Sequence, residues 1–198
     1  MTASYELFVQ SLAHRATDVR IVVAGISGVG KSTLAGEISR KIDVEVVELD
    51  ALHHGPNWQP RLTFQSEAMA LIGRPSWIVD SSGYPQITDA LWERATHIIW
   101  LDLPRHVVFW RLAIRSIART ARRTELWNGN RESLRQWFTA DHPLWTAMRR
   151  YDGRRKFVSE HIGAKRTPFD LAHITSRRAG NDFSAQLDYE LEFGQRVD

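Results

Sequence analysis

The chain has 198 residues, 43% of them hydrophobic and 25% charged, with a net charge of +3. That balance excludes a wholly disordered chain, and the length fits one domain able to bury roughly 70% of its unfolded surface. The absence of cysteine excludes disulfides, thiolate metal sites and cysteine nucleophiles.

No apolar run approaches the roughly 18 residues of a membrane span. Met1 to Leu12 lacks the basic-then-apolar order of a secretory signal, so a soluble cytoplasmic protein is expected. The charge is unevenly spread. Residues 105 to 156 carry twelve arginines and one lysine against four acids, whereas 182 to 198 is acidic. A local arginine excess points to a polyanion, either a triphosphate or nucleic acid.

Apolar positions Leu7, Phe8, Leu12 and Ala16 predict a helix within residues 4–17. The β-branched run Val19 to Ala24 predicts a strand, and Lys31 to Ile42 a helix. Val44 to Leu49 reads as a second strand ending at Asp50, followed by a His/Pro/Gly/Asn loop over 51–60. Phe64 to Ile72 reads as a helix stopped by Gly73 and Pro75. Trp77 to Val79 is a third strand, ending at Asp80. Pro85 to Arg94 is a helix with proline in its first turn. His97 to Leu101 is a fourth strand, ending at Asp102, and a long basic helix starts near Arg105. Phe169 to Thr175 reads as a fifth strand, with a last helix after Asn181. Strands alternating with helices imply parallel strands joined by crossovers. The ligand crevice of such a sheet lies beyond the carboxyl ends of its strands. Asp50, Asp80 and Asp102 are therefore expected along one edge.

Gly25 to Ser32 matches G-x-x-x-x-G-K-[ST] between a strand and a helix, the context this phosphate-binding loop needs. Gly25, Gly28 and Gly30 let the backbone curl, so that N–H groups at Ser27, Val29 and Thr33 can face phosphate oxygens. The helix adds the positive end of its dipole. Lys31 is expected to reach the β- and γ-phosphates and Ser32 to ligate Mg2+. The expected ligand is a nucleoside triphosphate, ATP with Mg2+.

These pieces, with Leu49 to Trp58, Trp77 to Tyr84 and Ile98 to Arg105 and then Arg111 and Arg115, resemble the adenylate-kinase-like P-loop kinases. Among these the likeness is to the subgroup labelled DNA topology modulation or adenylate kinase-related proteins. It runs in order over residues 19–178. It implies an α/β three-layer sandwich: a five-stranded parallel sheet in the order 2-3-1-4-5, helices on both faces and a small lid. One domain over 1–198 is expected, with an acceptor-binding segment at 51–74 and a lid-like insertion at 116–132.

The resemblance assigns roles as well. Asp50 contacts magnesium through water or accepts the acceptor's proton, and Asp80 holds the magnesium waters or the acceptor. His53, Trp58, Arg61 and Tyr84 fall in or beside the acceptor segment, and Trp58 serves either to stack on the acceptor or to fill the core. Asp102 is expected to cap the following helix. Arg111, Arg115 and Arg119, spaced by four, share a helix face. With Arg122 they are expected to meet phosphate oxygens of triphosphate or acceptor, and Arg177 the nucleotide. Trp127, Trp137 and Trp145 read as a helix packing on the sheet.

The function expected is transfer of the γ-phosphoryl of ATP to a small molecule or nucleotide by a monomer or homodimer. The alternative is an ATP-binding regulatory or DNA-associated protein with little kinase activity. Nucleic acid is the less favoured partner, because no DNA-reading module accompanies the arginines.

Overall fold

The β-branched run ahead of the glycine loop forms the central strand, β1 (Arg20–Gly25). Ile21 and Val23 enter one apolar cluster and Val22 and Ala24 another, all four fully buried. A strand covered on both faces belongs in a parallel sheet between helical layers. The computed structural model describes residues 3–14, 18–56, 59–80, 84–122 and 143–194, without the side chains of 3, 4, 14, 119–122 and 143. Its sheet has five parallel strands. β2 (Val46–Val47), β3 (Trp77–Val79), β1, β4 (His97–Leu101) and β5 (Asp170–Ile174) lie side by side in that order. Register places Val22 beside Val79 and Ile98, so β1 is paired on both edges.

One face is covered by α1 (Ala3–His14), α2 (Lys31–Ile42), α6 (Arg105–Arg122) and α8 (Arg177–Phe193). Phe8, Leu12, Ile38, Leu112 and Phe183 are their innermost side chains. The other face carries α3 (Leu49–His53), α4 (Phe64–Ile72) and α5 (Thr88–Arg94), through Leu49, Phe64, Leu91 and Trp92. α7 (Pro143–Ala164) joins both layers: Leu144, Ala147 and Tyr151 pack in the first cluster and Val158 in the second. Among the described residues no helix is long and apolar enough to cross a membrane.

Four local expectations shift. The second strand is shorter than 44–49, because buried Leu49 opens the short helix α3, closed by His54 N–H donating to the Asp50 carbonyl at 3.0 Å. Asp50 is thus in the first turn of a helix rather than at a strand end. α5 begins at Thr88, not Pro85, since the Tyr84 carbonyl accepts from the backbone N–H of both Ile87 and Thr88 and from the Thr88 hydroxyl. α8 begins at Arg177, because Ser176 caps it by accepting from the Ala179 N–H at 3.1 Å. Asp102 does not cap α6. It is buried and held by the Arg155 guanidinium at 2.6 and 2.8 Å, with His173 at 3.3 Å. The lid-like insertion read at 116–132 starts on α6, and its residues beyond Arg122 lie outside the described set, as do Trp58, Trp127 and Trp137.

Candidate active site

The glycine loop crosses from the carboxyl end of β1 to the start of α2. Gly25 has φ 145°, and a Cβ there would stand 2.6 Å from the Leu101 carbonyl oxygen of β4. Gly28 has φ 80°, and its Cβ would stand 2.4 Å from the Leu112 side chain of α6. Both positions require glycine for conformation and for space. Gly30 caps α2 with no side-chain hydrogen bond, so the helix presents its first N–H groups to the cavity in front of it. Open N–H groups and the helix dipole together favour an anion.

That cavity has a volume of about 880 Å³. Ser27, Gly28, Val29, Gly30, Lys31, Ser32 and Thr33 form its floor, and Asp50, Asp80, Arg111, Arg115 and Arg177 its walls. Lys31 Nζ donates to the Ile26 carbonyl at 3.2 Å. Burial pushes its pKa down to about 8, against the pull of Asp80 and then Asp50. The Ser32 hydroxyl donates to the Asp80 carboxylate. Burial pushes Asp80 up to about 6, opposed by that hydrogen bond and by Lys31. Tyr84 donates to Asp50 Oδ1 at 2.6 Å, and burial followed by this bond raises the phenol. Arg111 Nη1 donates to the Val29 carbonyl at 2.5 Å, tying α6 to the loop. Burial, then the Arg177 charge, lowers the Arg111 pKa.

Of the other residues expected at the site, His53 packs on the Tyr84 ring at 4.3 Å and on Phe64 at 4.9 Å, behind Asp50. Arg61 does not line the cavity. Its guanidinium pairs with Glu67 at 2.7 Å and turns toward the Leu52 carbonyl. Gly25 lies beneath the loop rather than in the cavity wall. Arg119 and Arg122 are on α6, with side chains outside the described set. Asp102 faces Arg155 and is absent from the cavity lining.

Sequence reading missed Arg154. It stands on α7, near enough to Asp50, Tyr84 and Lys31 for their charges to interact. Its signal was the arginine-rich run 149–155, which has no motif to single out one member. Glu37 of α2 and Asn181 and Ser184 of α8 were also unforeseen. They line the same cavity as Asp50, and Asn181 falls on α8 because that helix starts at Arg177.

Mg2+ favours oxygen ligands and keeps several waters beside phosphate oxygens. Ser32 Oγ next to the Asp80 carboxylate, with Asp50 in the same cavity, fits such an ion. Among the described residues no cluster of three or more histidines and carboxylates forms an all-protein metal site.

No family profile and no curated protein matches the chain. Solved structures do. Shikimate kinase from Acinetobacter baumannii, in complex with shikimate, superposes with a TM-score of 0.55 at 12% identity, over 93% of this chain and 98% of that one. Shikimate kinase from Bacteroides thetaiotaomicron superposes with a TM-score of 0.52 at 16% identity, over 88% and 99%. The fold is that of the P-loop kinases. Strand order, loop position and the cavity at the carboxyl edge of the sheet agree with that architecture.

Proposed function

We propose that the protein is a kinase that transfers the γ-phosphoryl group of ATP to a hydroxyl of a small acceptor. One observation carries the reading. A carboxylate oriented by a hydrogen bond, Asp50 with Tyr84, shares a single cavity with Lys31, Ser32 and the open start of α2. A phosphate cradle alone binds a triphosphate. An oriented acid across the same cavity supplies the second half of a transfer site.

The loop N–H groups and Lys31 hold the β- and γ-phosphates. The acceptor hydroxyl lies between the γ-phosphorus and Asp50, which accepts its proton as the oxygen bonds to phosphorus. The bond from phosphorus to the β-bridging oxygen breaks, and ADP leaves with the electron pair. Arg111 and Arg115 approach from α6 and offset charge on the transferring group and on the leaving ADP. Mg2+, when bound at Ser32 with Asp80 or Asp50, neutralises phosphate charge. Tyr84 keeps the Asp50 carboxylate in one orientation, and His53 and Phe64 buttress the Tyr84 ring. Arg177, at the start of α8 and lining the same cavity, contacts the nucleotide.

The test is coupled ADP release over a panel of nucleotides, nucleosides, sugars and hydroxy acids. Stimulation by an acceptor class, abolished in Asp50→Asn and Lys31→Ala, is the expected result. Turnover that no acceptor raises above the water background refutes the kinase reading and leaves an ATP-binding regulatory protein.

A further inference from the structure

One acid in front of the phosphate loop has no part in the transfer. Glu37 of α2 lines the cavity, as do Asn181 and Ser184 of α8. Glu37 is half-buried, and among the described residues no hydrogen bond or ion pair holds the side chains of these three. A carboxylate repels phosphate oxygens, so Glu37 does not serve the triphosphate itself. It only accepts hydrogen bonds, and the group it suits is a donor.

The two helices place these residues on one seam. α2 and α8 cover the same face of the sheet, through Leu34 and Ile38 on the first and Phe183 and Leu187 on the second. Arg177, Gly180, Asn181 and Ser184 have the i, i+3, i+4, i+7 spacing of one helix face, and all four line the cavity. One turn further along both helices an ion pair, Lys41 with Asp188, joins them. Lys41 stands four residues beyond Glu37, the position from which a lysine pairs with a glutamate on an isolated helix. Its pairing across the seam leaves the Glu37 carboxylate to the cavity.

The position of Glu37 along α2 says what meets it. Thr33 and Glu37, four residues apart on one helix face, have Cβ atoms about 6 Å apart, and both line the cavity. With Lys31 at the β- and γ-phosphates, the α-phosphate is the one beside Thr33. The group bonded to that phosphate is a ribose, and its far edge carries the 2′ and 3′ hydroxyls, two adjacent donors. A carboxylate presents two acceptor oxygens to them, and an acid on a ribose hydroxyl is how dinucleotide-binding folds hold the sugar. The Asn181 amide and the Ser184 hydroxyl add donors and acceptors from the α8 side.

We propose that Glu37, with Asn181 and Ser184, binds the 2′,3′-diol of the nucleotide ribose and selects nucleotides that carry it. The proposal rests on the cavity being a nucleotide site and does not need the transfer step.

Titration calorimetry on the full chain with Mg2+, comparing ADP with 2′,3′-dideoxy-ADP, tests this without turnover. ADP is expected to bind at least about tenfold more tightly, the scale of a lost charged hydrogen bond. Glu37→Ala should weaken ADP by a similar factor and leave dideoxy-ADP unchanged, so that the variant binds both alike. Glu37→Gln keeps the shape of the side chain without its charge, and is expected to lose most of the preference while melting with wild type. Equal binding of the two ligands by wild type, or a Glu37 variant that weakens both equally, overturns the ribose site. Failure of wild type to bind either ligand refutes the nucleotide reading and the ribose site with it. A preference that is lost with Glu37, in a protein whose turnover no acceptor raises, keeps the ribose site and rejects the kinase reading alone.

Discussion

Asp80→Asn is expected to make the ligand-free protein more stable while removing its function. In the folded chain burial raises the Asp80 carboxyl from an ordinary 3.8 to about 6. At roughly 1.4 kcal/mol per unit this charge costs up to about 3 kcal/mol at neutral pH. Partial exposure of the side chain reduces the figure to about 1–2 kcal/mol. Asparagine removes the charge and keeps an oxygen that can accept from Ser32. The gain corresponds to a rise in melting temperature of about 3–6 °C for a domain of this size. The sign follows from proton binding. Between pH 3.8 and about 6 the folded state holds more protons than the unfolded chain, so wild-type stability falls as pH rises through that window. The advantage of the variant should therefore be absent below about pH 4, grow up to about pH 6 and be constant above it. Thermal melts followed by circular dichroism from pH 4 to 8 measure the difference, in which all other titrations common to both proteins cancel. Mg2+–ATP should then stabilise wild type more than the variant. A variant that is less stable at neutral pH, or an advantage that does not change with pH, refutes the reasoning that Asp80 is a carboxylate held at an energetic cost.

Three further outcomes are expected. Lys31, with a pKa of about 8 in the free protein, must be protonated to meet a triphosphate, so binding at pH 9 should take up close to one proton and be about tenfold weaker than at pH 7; calorimetry in buffers of different ionisation heat reads this, and equal uptake at both pH values contradicts it. Gly28→Ala places a methyl group against Leu112 at a positive φ and should cost about 2 kcal/mol in thermal stability, with loss of nucleotide binding by fluorescence titration. Asp102→Ala removes the buried partner of Arg155 and His173 and should lower stability by about 3 kcal/mol in urea unfolding, leaving kcat of the folded fraction near wild type.

The phosphate loop and the parallel sheet were legible because each rests on a local pattern. Glycines at 25, 28 and 30 have no other common use between a strand and a helix, and the strands are short apolar runs bounded by polar turns. The Ser176 cap is also legible, and a helix read only from beyond Asn181 leaves Gly180 and Asn181, two of the cavity-lining residues, off α8. Asp102 misled because a strand-end aspartate before Leu-Pro looks like a cap. Its real partner, Arg155, is 53 residues away. Arg154 was invisible for a related reason. Its value lies in where α7 passes Asp50, and helical periodicity gives a face but not a destination.

α7 divides its labour around its own axis. Leu144, Ala147, Tyr151, Arg155 and Val158 follow steps of three and four residues and fasten the helix, with the Tyr151 hydroxyl donating to the Leu103 carbonyl at 2.7 Å and Arg155 gripping Asp102. Arg150, Arg154, Phe157 and His161 follow the same rhythm on an adjoining stripe that faces a groove between α5 and α7. Neighbours in sequence such as Arg154 and Arg155 thus serve different sides of one helix, and substitutions along the groove stripe should cost less stability than substitutions along the fastening stripe.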